Sequence, residues 1–302
     1  MIDTVTGPIS LEELGQTLIH EHIICTGAEF QKSFSNWLPK ETVMNIALAK
    51  LKYVSEKFQI RTIIDGTPLT LGRDLMLLKE VSERSGVQIV ASTGFYFYDS
   101  FPLIKMPPEA LAEFLLDEMQ NGDIRPAMFK CAADAAGITL SVQKSLQTAA
   151  LVHQASGIPV YCHSSARVKS GIEARQLLED AGVPPSKTII GHVSDSNDIS
   201  YALELLKTGC FVSIDRICPH NAAFAAELIR AGYEDRIFLS HDHICCYDTV
   251  MASPPQSQGE PHGLDVVHGR ILPEMRVLGV SETTIEKITT GNIINLYRNT
   301  GK

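Results

Sequence analysis

Eight short β-rich runs, each followed by a stretch of helical periodicity, constrain this chain more than any other feature. The runs are "TLIHEHII" (17–24), "RTIID" (61–65), "VQIVAST" (87–93), "PAMFK" (126–130), "IPVYCH" (158–163), "KTIIGH" (187–192), "CFVSID" (210–215) and "RIFLSHD" (236–242). The intervening amphipathic stretches cover 40–58, 73–86, 107–122, 141–157, 171–182, 198–209 and 221–232. Several of them end in Gly, the usual stop for a helix. Near-continuous apolar strands alternating with amphipathic helices predict a parallel sheet covered by helices. Eight such units predict an α/β protein closed into a (β/α)8 TIM barrel. An open doubly wound sheet is the competing architecture, but no G-x-G-x-x-G follows the first run.

The segment "TVTGPIS" (4–10) predicts a short N-terminal hairpin that plugs the bottom of the barrel, and a long loop is expected after strand 8. A barrel of this kind commonly uses about 250 residues, so the 302 residues are expected to form one domain over 1–302. A hydrophobic share of 44% with a mean hydropathy of +0.04 fits a soluble chain with a large core. A net charge of −9 argues against a nucleic-acid partner, which would require clustered Lys and Arg. No run reaches the ~18 apolar residues of a membrane span, and no secretory pattern opens the chain. Seven cysteines without zinc-finger spacing, among them the vicinal Cys245 and Cys246, point to free thiols and a cytoplasmic location.

In a parallel barrel, chemistry gathers at the C-terminal ends of the strands. Here those ends carry His20 and His22, Lys130, His163, His192 and Asp242, each closing an otherwise apolar run. Alternation puts His20 and His22 on one face and Glu21 on the other. Alone, an H-x-H pair reads as two hydrogen-bonded structural histidines. Four imidazoles and a carboxylate converging on one mouth instead form a site for borderline metals such as zinc.

Lys130 is the odd member, because an ammonium beside dications is repelled. It reads as a structural ion pair, as a Schiff-base lysine, or as a neutral amine that takes up CO2. The resulting carbamate would be an anionic ligand with two oxygens, able to bridge two ions. The donors then divide as His20, His22 and Asp242 on one metal and His163 and His192 on the other, with Lys130 spanning both.

These stretches resemble the phosphotriesterase family of the amidohydrolase superfamily, and within it the phosphotriesterase-like lactonases. The matching segments are "LIHEHI", "GRD" (72–74), "STGFYFY" (92–98), "FKCAAD" (129–134), "VYCHSSA" (160–166), "IIGHVSDSND" (189–198), "SIDR" (213–216) and "LSHDHICC" (239–246). The resemblance implies a hydrolase whose two divalent metals, zinc foremost with cobalt, manganese or iron as alternatives, hold a bridging hydroxide. It implies that Asp242 ligates metal and shuttles the proton, and that Lys130 carries the CO2-derived carbamate. Tyr96 and Arg216 would touch substrate, although Tyr96 also reads as rim packing and Arg216 as an ion-pair donor. A lactonase with promiscuous organophosphate triesterase activity, acting as a homodimer on small-molecule lactones or esters, follows from this likeness. The alternatives are a phosphotriesterase, another ester or amide hydrolase of the superfamily, or a metal-binding homologue without catalysis.

Substrate choice in such lactonases rests on the loop after strand 8. Here that loop has Tyr247 as its one aromatic besides histidine and no Lys or Arg between Ala252 and Gly269. Both a long acyl chain and a phosphorylated sugar lactone are therefore disfavoured. Asp195 and Asp198 read as supporting or helix-capping groups. His153 falls on a helix and His220 in a loop, His262 and His268 in the final loop, and His241 and His243 face away from the interior.

Overall fold

The computed structural model describes residues 1–34, 37–247 and 263–298. After an antiparallel pair, β1 (Ile2–Thr4) and β2 (Gly7–Ile9), the strands are β3 (Gln16–Cys25), β4 (Ile60–Asp65), β5 (Gln88–Gly94) and β6 (Met128–Ala133). They continue as β7 (Val160–Ser164), β8 (Thr188–Ile190), β9 (Phe211–Ile214), β10 (Ile237–Leu239) and β11 (His243–Tyr247). The main sheet runs β10-β9-β8-β7-β6-β5-β4-β3-β11, and every pairing in it is parallel. Its first and last members are adjacent in the chain, so the sheet curls back on itself. The seam is joined where Ser240 Oγ accepts the His20 backbone N–H at 2.9 Å and His20 O accepts that of Asp242 at 3.0 Å. This is the predicted (β/α)8 barrel with its N-terminal hairpin.

Strand 8 departs from the sequence reading. The run 236–242 is not one strand: β10 pairs with β9, the chain then breaks, and β11 pairs with β3. Asp242 sits at the break with φ 54°, a left-handed conformation that an Asp tolerates better than most residues. Of the expected loop over 244–269, residues 248–262 lie outside the described residues, as does His262. The remainder differs from a loop. Residues to Tyr247 extend the sheet and Val267–Ile271 begin a helical segment, so His268 is helical.

The core falls into clusters that match these layers. Inside the lower barrel, Ile19, Ile64, Val90, Met128, Ile189, Phe211 and Phe238 pack with Ile2 of the hairpin and with Leu296 and Tyr297 of the C-terminal helix Asn292–Tyr297. The lower end is thus closed from both termini. Tyr297 Oη donates to Ala127 O at 2.8 Å, just before β6 begins. Buried Asn292 donates to the carbonyls of Glu234 and Ile237 at the start of β10. Outside the strands, helix Lys40–Phe58 lays Val43, Ala47, Leu51 and Val54 against Leu18, Ile60 and Ile63. The predicted helices over 107–122 and 141–157 form as Pro108–Asn121 and Leu140–Ser156. Among the described residues, no helix is long and apolar enough to cross a membrane.

Candidate active site

β3 delivers two histidines to the interior through an irregularity that alternation does not predict. Its register against β4 shifts between Leu18 and Glu21. Leu18 faces the outer helices and Ile19 the lower barrel core, yet His20 and His22 still converge on the upper interior. Glu21, between them, points outward and is buried. It accepts from Ser240 Oγ (2.7 Å), His241 N (3.0 Å), His241 Nδ1 (2.7 Å) and His243 N (3.0 Å). One carboxylate therefore satisfies the donors exposed where strand 8 breaks, which fixes the placement of Asp242. His192 lies just beyond β8, also at positive φ (63°). Lys130 is not terminal as read from sequence, since β6 continues to Ala133, but its side chain rises into the same space and is buried.

All six predicted ligands meet. Asp242 Oδ1 lies 3.2 Å from His22 Nε2 and 3.4 Å from His20 Nε2, and Oδ2 lies 3.8 Å from His192 Nε2. Lys130 Nζ touches His20 Nε2. His192 Nε2 is 2.7 Å from His163 Nδ1. Ligand atoms of His20, His192 and Asp242 all fall within 4.8 Å of one another.

The opposite nitrogen of each imidazole is held by oxygen. His20 Nδ1 and His192 Nδ1 donate to the two oxygens of Asp215, at 2.9 and 2.8 Å. Thr67 Oγ1 gives its proton to Ile24 O, so it accepts from His22 Nδ1 at 2.8 Å. His163 Nε2 faces Asp134 Oδ2 at 3.5 Å. These contacts leave Nε2 of His20, His22 and His192 and Nδ1 of His163 facing the interior, where they meet Asp242, Lys130, Tyr96 or one another. That is the tautomer pattern a metal requires. Gly66 is part of it: a methyl group there would lie 2.6 Å from His20 Cδ2.

Electrostatics follow burial. Desolvation brings the Lys130 amine down to about 8 and pushes His20 and His192 well below their ordinary range. Burial would raise Asp242, but His20, His22 and His192 around it hold its carboxyl well below the usual range.

Tyr96 and Arg216 border the cluster. Tyr96 Oη lies 3.3 Å from His163 Nδ1, and the Tyr96 backbone N–H is fixed by Thr70 Oγ1 at 2.8 Å. Arg216 donates from Nε to Asp242 Oδ2 (3.2 Å) and from Nη1 to Asp195 Oδ2 (2.7 Å). Asp198 caps helix Ile199–Leu206, accepting from Ser200 N and Tyr201 N. His241 points outward as expected. His243 is bound to Lys50 Nζ at 3.0 Å, and all seven cysteines are free.

The sequence reading missed Asp215, Glu21, Thr67 and Asp134. Asp215 ends strand 7 and obeyed the same strand-end rule as the ligands. Glu21 lay inside the H-x-H motif.

With this geometry in place, comparison with known proteins is decisive. The phosphotriesterase family model matches residues 1–296. The chain belongs to the phosphotriesterase family. It is 28% identical over 300 residues to an aryldialkylphosphatase of Saccharolobus solfataricus, covering 94% of this chain and 95% of that protein. A phosphotriesterase homology protein of Mycobacterium tuberculosis is 26% identical over 322 residues, covering 99% and 98%. An N-acetyltaurine hydrolase of Xenopus tropicalis is 26% identical over 341 residues, with 96% of each chain covered. Phosphotriesterase-family relatives are hydrolases, and His20, His192 and Asp242 form a group able to hold a metal ion.

Proposed function

We propose that the chain hydrolyses neutral lactones with two divalent cations held by His20, His22, Lys130, His163, His192 and Asp242, and turns over organophosphate triesters promiscuously. The observation that carries this reading is the tautomer pattern: four imidazoles, each tied to oxygen on one side, offer their free nitrogens to one space shared with a carboxylate and a lysine. The donor set suits zinc, and the family is in general binuclear-metal dependent. Lys130 completes the set once its neutral amine attacks CO2. An N–C bond forms, one C–O π bond opens, and a proton leaves to water, so an anionic carbamate replaces the neutral amine. Bound metals would lower the pKa of a water molecule and polarise the electrophile.

The chain's own groups do the rest. Asp242 accepts the proton of the attacking water at Oδ1 and returns it to the leaving alkoxide, while Arg216 steadies Oδ2. The Tyr96 hydroxyl, beside His163, is placed to hydrogen-bond the substrate. Arg216 already faces two carboxylates, Asp195 and Asp242, which raise its affinity for its proton although burial opposes it. It is therefore ill-suited to bind an anionic substrate group, which supports a neutral lactone over a sulfonated amide. Free cysteines support a reducing compartment such as the cytoplasm, and the homodimer is carried over from the family likeness.

Turnover of γ- and δ-lactones, an aryl dialkyl phosphate and N-acetyltaurine should be compared with zinc, cobalt and manganese. Lactones are expected to give the highest kcat/KM and the triester a weak one. Silence on every lactone beside robust cleavage of N-acetyltaurine would replace the lactone with an amide.

A further inference from the structure

Below the candidate ligands, one large side chain separates the polar site from the apolar lower barrel. Tyr161 is inward-facing on β7, is 2% exposed, and pairs in register with Lys130. Lys130 Nζ stands 4.3 Å from the centroid of its ring. The ring centroid of His20, reaching in from the far side of the barrel, lies 4.4 Å away at 46°. A single aromatic face thus touches two members of the ligand set that come from different strands. Beneath it lie Ile189, Phe211 and Phe238.

The surroundings are cut to admit this ring. Inward residues of alternate strands stack in layers in a barrel with a shear of about eight residues. With that shear, the registers bring Ser92 of β5 and Ser213 of β9 to the level of Tyr161, so the alternate strands on either side contribute only small side chains to its layer. On β8's continuation, Gly191 leaves room for the phenol: a methyl group would meet Tyr161 Oη at 2.6 Å and Cε1 at 2.8 Å. The hydroxyl itself has no hydrogen-bond partner among the described residues. The ring, rather than the hydroxyl, makes the contacts.

We infer that Tyr161 is a positioning residue of the metal centre, its ring forming the floor that holds Lys130 Nζ and the His20 imidazole at the level of the other ligands. A lysine stem has four rotatable carbons, and its tip serves two metals only if it is held in place. This inference rests on the metal-centre reading above.

The test uses the full chain with Tyr161→Phe and Tyr161→Met, which keep and remove the aromatic face. Zinc affinity is measured by chelator competition, metal per chain by elemental analysis, and carbamate by the 13C signal after labelled bicarbonate. Phe should stay within about twofold of wild type. Met should bind zinc about tenfold or more weakly, as when other residues that orient ligands are lost, and should lose the 13C signal. A space-filling role would lower only the melting temperature of Met; unchanged zinc affinity in folded Met overturns the inference. Equal loss in Phe overturns it too, because the hydroxyl would then be responsible. Should Met fail to fold, Gly191→Ala displaces the ring without a cavity, and wild-type affinity there is equally fatal. A wild-type chain that binds no metal instead overturns the metal-centre reading itself, so the two failures are distinguishable.

Discussion

Asp215, immediately after β9, accepts the Nδ1–H of His20 on β3 at 2.9 Å, although 195 residues separate them. Its other oxygen accepts both the backbone N–H and the Nδ1–H of His192, at 2.9 and 2.8 Å. One buried carboxylate therefore sets the tautomer of two imidazoles whose free nitrogens lie near Asp242.

Asp215→Asn would present an amide N–H to one of those imidazoles and force it to turn or change tautomer. Zinc affinity should fall by about 10- to 100-fold, read by chelator competition, while far-UV circular dichroism stays native. Wild-type affinity would mean that Asp215 serves packing only.

Asp242→Asn removes the carboxylate that is to ligate metal and carry the proton. Removal of a general acid–base group costs about 10²- to 10⁴-fold in rate, and a kcat drop in that range is expected with the melting temperature little changed. Near-normal turnover excludes the role.

Lys130→Ala should strip both metal and activity, with partial recovery on adding short carboxylates such as acetate or propionate. Metal analysis before and after addition is the check. Metal content equal to wild type without rescue agent contradicts the bridge.

His268 makes a pH prediction remote from the site. Burial against Phe58 lowers its pKa from 6.5 to about 3, and both ring nitrogens are buried without a hydrogen-bond partner among the described residues. Between those values the unfolded chain binds a proton that the folded chain does not, so stability falls as pH falls through that window. By pH 5 the loss is about 2 kcal/mol. His268→Leu should lose less stability than wild type between pH 7 and pH 5, measured by urea unfolding. Parallel losses in both proteins would contradict the assignment.

Sequence alone determined the barrel and singled out the six side chains, His20, His22, Lys130, His163, His192 and Asp242, that the fold brings together. Both follow from local rules: a two-residue repeat for strands, a 3.6-residue repeat for helices, and one polar residue closing each apolar run. Asp215 was legible by the same rule, since it closes the apolar run 210–215. Tertiary structure alone decided the break in strand 8, the shifted register that brings both Ile19 and His20 inside, and the hydrogen bonds by which Glu21 holds the break. It also decided that Tyr161 lies under Lys130. These are contacts across the barrel between residues far apart in the chain, set by the shear of the closed sheet and the need to satisfy every buried donor. No periodicity along one strand encodes them.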